Sequence, residues 1–334
     1  MKNHLHFDFF GQTLRLNSQN DELLARLSKD FSYFLSEDFT KADFNIDVFF
    51  EAPPAGVIPS RVASRQSLQS LSFDIPPVRV NDYYGKLVSV YDYKNEKAKL
   101  WSTDIEKLHE VTYLLILSRV GKALDLQGLH KVHAMAFTKN DKCLVGMMPM
   151  KGGKSTLLAN ILRDQSVSII SDDCPLITRA GRVKPFPLRL GVDELSKEVG
   201  LKDQQIHSYT LRRDFYGEKK LISLEGLPHE IGIVGTKQIL FVGRRGHNIK
   251  PEFKRISKFS MLKPVFVNMI VGVGLPMVME YFWESGVRDF FKKSYIAISR
   301  TIAALALIMR SDCYEFLMSN KPEENAEFLL GKLD

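Results

Sequence analysis

The chain has 334 residues, room for about two domains at ~150 residues each and for a core that needs no disulfide or metal staple. Hydrophobic residues make up 45% and charged residues 25%, which excludes a disordered, collagen-like or multi-span membrane chain. The net charge of +7 suits an anionic ligand without demanding nucleic acid.

The segment Met1–Asn17 reads as a strand pair turning at Gly11, not as a signal peptide. Asp21–Leu35 has helical periodicity, Phe44–Phe50 alternates as a strand, and Pro53–Ser72 reads as a loop. Strands follow at Val78–Val80, Lys86–Tyr93 and Ala98–Trp101. A long helix then starts at Thr103 or Asp104, with Glu106 at capping-box offset, and ends near Gly128.

Beyond it the grammar changes. Val132–Phe137 and Lys142–Met148 read as strands around the turn Lys139–Asp141, Ser155–Arg163 as a helix and Val167–Ile170 as a buried strand. Strand, loop, helix, strand is the order of a nucleotide-binding α/β core. Further strands are expected at Leu176–Arg179, Val183–Pro185 and Ile231–Phe241, and the chain from Met261 onward reads as mainly helical. The apolar runs Val265–Met279 and Ile296–Met309 are too short to span a ~30 Å bilayer cleanly and read as buried core helices. The division expected is a small α+β domain at 1–102, a connecting helix at 103–128, a core at 129–260 and a helical part at 261–334. Three sparse cysteines, Cys143, Cys174 and Cys313, argue for a reducing, cytoplasmic setting.

The strongest local signal is Met148-Pro-Met-Lys-Gly-Gly-Lys154-Ser155-Thr156. Gly152 and Gly153 allow a tight turn that points N–H groups into one concavity at a helix N-terminus, where the dipole favours anions. Lys154 supplies a charge for terminal phosphates, and the Ser155 hydroxyl suits Mg²⁺. Met148 stands where the usual loop pattern has its first glycine, and Gly146 lies two residues too early to replace it. Asp172 and Asp173 follow the Val167–Ile170 strand at the end where ligands gather in such sheets. One carboxylate there can hold Mg²⁺ and the other can accept a proton from a hydroxyl.

The runs Val132-His133-Ala134, Leu144–Thr156 and Ile169–Asp173 resemble the HPr kinase/phosphorylase superfamily, and most of all the HPr-kinase-related proteins. These share a phosphate-loop core with phosphoenolpyruvate carboxykinases. The resemblance covers roughly 129–187, with weaker likeness at 185–187 and 314–329. It implies an α/β fold in which a phosphate-loop core, with a mixed β-sheet and flanking helices, follows a small α+β N-terminal domain. By that resemblance Gly152, Gly153, Lys154, Ser155 and Thr156 hold ATP, and Ser155 and Asp173 lie on the Mg²⁺ side. Asp172 is the acid/base, the two aspartate roles being exchangeable, and His133 lies near the reacting phosphate. A later arginine stabilises the transferred phosphate, with Arg212 and Arg213 as candidates. The HPr protein itself is not a required acceptor, because the C-terminal signature that engages it is not recognisable.

The function expected is ATP- and Mg²⁺-dependent transfer of the γ-phosphate to a hydroxyl, serine-like on a peptide or protein, or on a small molecule. The alternatives are a non-catalytic nucleotide-binding regulator and an ATPase switch. No nucleic-acid partner and no integral membrane segment are expected, and a homo-oligomer is possible by the same resemblance. The segment 201–260 holds 12 Lys/Arg against 6 Asp/Glu, so most of the positive excess lies just after the loop core.

Overall fold

A computed structural model describes residues 3–37, 40–149, 152–192, 208–213, 217–224, 227–247, 249–275, 279–284 and 286–334. It is a mixed α/β protein that divides into two compact units. The first holds 1–124, 212–217 and 276–293, and the second holds 125–211, 218–275 and 294–334. The helix read as a connector thus falls mostly in the first unit. So does 276–293, which the sequence placed with the C-terminal helical part.

The first unit is built on an eight-stranded sheet. Its strands are β1 (His4–Phe9), β2 (Gln12–Ser18), β3 (Phe44–Phe49), β4 (Arg65–Gln66), β5 (Leu71–Ile75), β6 (Val78–Asp82), β7 (Val88–Asp92) and β8 (Lys97–Trp101). Their order is β1-β2-β3-β8-β7-β6-β5-β4, with β2, β3 and β8 parallel and the rest antiparallel. The expected loop at Pro53–Ser72 therefore contains β4 and the start of β5, a pair too short and polar to announce itself. The helix Asp21–Asp30 is capped by Asn20, whose side chain accepts from Leu23 N at 2.8 Å. The helix Ile105–Gln127 is capped by Asp104, which accepts from Glu106 N at 3.0 Å and Lys107 N at 3.1 Å. Glu106 does not close a capping box; it pairs with Arg26 at 2.7 Å.

The returning segment is fastened to this unit by polar bonds. Arg79 donates to Trp283 O at 2.5 Å, Arg119 to Tyr281 O at 2.9 Å, and Lys122 meets Glu284 at 2.7 Å and Asp289 at 2.6 Å. The fully buried Tyr281 places its hydroxyl 2.6 Å from Ser89 Oγ. These buried cations have partners, as their desolvation requires.

The second unit holds a six-stranded sheet from β10 (Met135–Lys139), β11 (Lys142–Met147), β12 (Ser168–Ser171), β18 (Lys237–Arg245), β19 (Glu252–Arg255) and β20 (Asp312–Met318). The order is β12-β10-β11-β18-β20-β19. Strands β11, β18 and β20 are parallel neighbours, and β10 runs antiparallel to both β11 and β12. Two three-stranded sheets accompany it. One is β9 (Leu129–Lys131), β13 (Leu176–Thr178) and β14 (Val183–Lys184); the other is β15 (Leu190–Val192), β16 (Ser208–Arg213) and β17 (Gly217–Ile222).

Both faces of the six-stranded sheet are buried, and residues alternate between them as the pleat requires. Met135, Phe137, Leu144, Phe241 and Phe316 face one core with the helices Lys154–Ile161 and Pro322–Gly331. Ala136, Val145, Met147, Leu240 and Cys313 face another with the Val287–Arg310 helix, through its Ala303, Ala304, Leu307 and Ile308.

Four sequence expectations need correction. Of the strand expected at Val132–Phe137 only 135–137 is strand, as the start of β10; residues 132–134 are irregular and separate it from β9. The strand expected at Ile231–Phe241 is β18, shifted to Lys237–Arg245. The segment after Met261 contributes β20 between two strands of the main sheet, hidden among helices because it alternates only weakly. The run Ile296–Met309 is not fully buried: Ile298, Ile302, Leu305 and Met309 are exposed. The same holds for Phe266, Val271 and Val273 in the Val265–Met279 run. No helix among the described residues is long and apolar enough to cross a membrane.

Candidate functional site

The topology of the six-stranded sheet gathers one set of chain ends. Strands β11, β12 and β18 end at the same edge, and β10 begins there because it runs the other way. The turn after β11, the aspartates after β12, the approach to β10 and the end of β18 therefore meet by topology alone.

The turn enters the Lys154–Ile161 helix through Gly153, whose φ of 90° is left-handed and favours glycine. A Cβ there would also collide with the Arg245 guanidinium at the end of β18. Gly152 N donates to Pro149 O at 2.8 Å, tightening the turn. Met148 is buried, and its side chain joins the core with Leu157 and Phe241. The residue in the first loop position thus spends its bulk in the core. Gly146 has a packing role, since a Cβ there would enter the Phe241 ring. Met150 and Lys151 lie outside the described residues.

Lys154 is buried and its ammonium forms an ion pair with Asp173. His133 Nε2 lies 3.3 Å from the same Asp173 oxygen. Ser155 donates to Asp172 Oδ2 at 3.2 Å. Burial pushes the Asp173 carboxyl up, but Lys154 and His133 outweigh it and hold the group well below the usual carboxylate range. Thr156 sits on the first turn of the helix, its carbonyl accepting from Asn160 at 2.9 Å. Burial pushes the neighbouring Cys174 thiol up to about 12, which leaves it neutral and rules it out as a nucleophile at ordinary pH.

Backbone bonds fix these side chains. Ala134 N donates to Asp173 O at 3.1 Å and Val132 N to Pro175 O at 3.1 Å. His133 N donates the other way, to Asn268 O at 2.9 Å. The chain then turns through Gly272 and Gly274, and Gly274 lies so close to the His133 ring that any side chain would strike it.

Gly152, Gly153, Lys154, Ser155, Thr156, Asp172, Asp173 and His133 converge on one sheet edge. The two aspartates have different neighbours: Asp172 is beside Ser155, and Asp173 is beside Lys154 and His133. Arg212 and Arg213 end β16, but their side chains lie outside the described residues. Arg245 was missed. Reading the strand as ending at Phe241 left Arg244-Arg245 in a loop, whereas β18 carries Arg245 to the edge. The Asn268–Gly274 cover over His133 was also missed, because a run of Val and Gly has no periodicity to locate it.

A metal is tested best against the donor set. Among the described residues no cluster of three or more His, Cys, Asp or Glu side chains could cage an ion. Mg²⁺ held through phosphates and waters needs only one or two protein oxygens. Ser155 Oγ and Asp172 Oδ2 supply that pair, so the residues fit. No protein-family model matches the chain, and no curated protein matches it.

Proposed function

We propose that the chain is an ATP-dependent phosphotransferase of the HPr-kinase-like kind, acting on a hydroxyl of a peptide, protein or small molecule in the cytoplasm. The observation that carries this reading is the meeting of Lys154, Ser155, Asp172, Asp173 and His133 at a left-handed glycine turn on one sheet edge.

The roles follow from the contacts. The Gly152–Gly153 turn and the helix N-terminus cradle the phosphates of the nucleotide. Lys154 turns from Asp173 to the terminal phosphates when these arrive, leaving the Asp173 carboxylate beside His133. Asp173 is ionised and can accept the proton of the incoming hydroxyl, with His133 orienting it or passing the proton on. Ser155 and Asp172 would hold Mg²⁺, which when bound offsets phosphate charge. Arg245, exposed over Gly153, is placed to meet the transferred phosphoryl oxygens, a task for which a planar guanidinium suits.

The test is incubation with γ-labelled ATP and native cell extract. Label on a protein or metabolite, absent with Asp173→Asn, supports transfer and identifies the acceptor class. Free labelled phosphate alone makes the chain an ATPase. ATP binding without any release or transfer of label makes it a regulator.

A further inference from the structure

The Val287–Arg310 helix turns one side into the core of the second unit and leaves another to solvent. Over its second-unit portion Ala303, Ala304, Leu307 and Ile308 are buried, while Tyr295, Ile298, Ile302, Leu305 and Met309 are each 44–68% exposed. Spacings of three and four place the exposed five along one face. The adjoining segment 258–271 packs on this helix through Met261, Val265 and Met269, and adds exposed Phe259, Leu262 and Phe266 at 42–83%. Single exposed apolar residues are ordinary, but a set of this size on adjoining elements marks a contact surface.

The charges around that surface have one sign. The stretches 257–275 and 294–310 contain no Asp or Glu, although 39 of the chain's 334 residues are acidic. Arg179 lies over the Tyr295 ring, 5.1 Å from its centroid, and donates to the Tyr295 hydroxyl and to Ser299 Oγ. At the other end of the stripe Lys258 donates to Met309 O. Lys263 and Arg310 are exposed. Among the described residues none of these four cations has a carboxylate partner, whereas Lys139, Arg244 and Arg255 of the same unit each hold one. The next acid along the chain, Asp312, is held by Arg255 at 2.7 Å. Arg300 is buried against Asp125 and takes no part in the face.

From these features we infer that the face docks on a bilayer rich in anionic lipid. The apolar side chains enter the headgroup layer, and Arg179, Lys258, Lys263 and Arg310 meet the lipid charges. Apolar area and cations on one surface are the two components of interfacial binding, and each cation gains from the negative surface potential of such a leaflet. The stems of Lys258, Lys263 and Arg310 are long enough to keep their charges at headgroup level while their carbons follow the apolar residues inward. Phe259, Ile298 and Met309 are 83, 63 and 68% exposed, so they project from the surface and do not line a groove. A bilayer takes up projecting chains without a complementary pocket, whereas a protein partner must supply one. A second copy of this face would oppose like charges, which costs affinity.

The test is flotation of the full chain with vesicles. Phosphatidylcholine vesicles containing about 30% phosphatidylserine should bind it at least about tenfold more strongly than phosphatidylcholine alone, and ~0.5 M salt should remove most of that difference. Ile302→Asp should weaken binding at least about tenfold with an unchanged near-ultraviolet spectrum. Lys263→Gln combined with Arg310→Gln keeps the apolar surface and should cut the preference for anionic vesicles about tenfold. The native cysteines are all buried, so a polarity-sensitive dye can be attached at Ile302→Cys alone. Its emission should move to the blue with the anionic vesicles. Absence of flotation overturns the inference, as does equal binding to both kinds of vesicle, or binding that survives Ile302→Asp in a folded protein. An anionic preference unchanged in the double Gln variant overturns it too. A dye already blue-shifted without vesicles, in a chain that sediments at twice 38.1 kDa, gives the face to a second copy and overturns it as well.

Discussion

Two clusters in the second unit are made of nearly the same side chains. The first joins Lys154, Asp173, His133, Ser155 and Asp172. The second joins Asp125, His130, Ser299 and Arg300. In the second, His130 Nδ1 lies 2.8 Å from Asp125 and its Nε2 lies 2.8 Å from Ser299 Oγ, the order of a hydrolytic triad. Yet all four residues are buried, and Ser299 Oγ also accepts from Arg179 at 2.8 Å. No reacting atom can reach that serine. Arg300 instead donates to Met269 O at 3.2 Å, so the cluster anchors the stretch that turns over His133. The first cluster borders a glycine turn, and Asp173 is 37% exposed. Constellation alone does not mark a site; open approach and a cradle of backbone do.

Substitutions should separate the two clusters. The largest effect belongs to the glycine-turn cluster. Lys154→Ala should abolish measurable ATP binding in calorimetry, and Asp173→Asn should lower transfer by on the order of 10²–10⁴ while ATP still binds. Unchanged transfer in the latter would remove Asp173 from the chemistry. Next comes Arg300→Met in the buried cluster. It leaves Asp125 without its bidentate partner, so urea unfolding should show a loss of about 3–5 kcal/mol. ATP affinity of the folded fraction should be nearly unchanged. A stable variant that cannot bind ATP would reverse the distinction. Gly274→Ala is smaller and links the clusters. Its φ of 85° and its contact with the His133 ring predict roughly tenfold slower transfer at unaltered ATP affinity. Normal turnover would show that the His133 position does not matter.

The same contrast explains what the sequence disclosed. Local signals were readable: Gly152-Gly153-Lys154-Ser155 needs glycine at one turn, and Asp172-Asp173 ends an apolar strand. What places them together is non-local. Strand β20 and the Arg245 end of β18 join the sheet from far along the chain, and pairing register is not written in either strand's own pattern. The Asp125, His130 and Arg300 cluster was invisible for the same reason, because Arg300 reaches Asp125 across 175 residues. The Ile296–Met309 run was read as core from its hydropathy, which records apolarity but not which side a helix turns outward.

The smallest effect is a pH dependence, and it asks whether the Lys154–Asp173 pair is the resting state of the site. Asp173 titrates below the 3.8 of an unperturbed aspartate because Lys154 and His133 outweigh its burial. A carboxylate with a depressed pKa contributes stability that is fully present above its unfolded value and is lost as pH falls through the folded one. The stability difference between the natural chain and Asp173→Asn should therefore be level from about pH 8 to pH 5 and shrink below about pH 4. Asp125, also depressed despite burial because Arg300 and His130 face it, obeys the same sign in Asp125→Asn. The two differ in their response to salt. The partly exposed Asp173 difference should narrow between low and ~0.5 M salt, whereas the buried Asp125 difference should not. A difference for Asp173→Asn that does not shrink below about pH 4 would show that the carboxylate is not held by Lys154 at rest. The lysine would then already be free to meet phosphate before any nucleotide arrives.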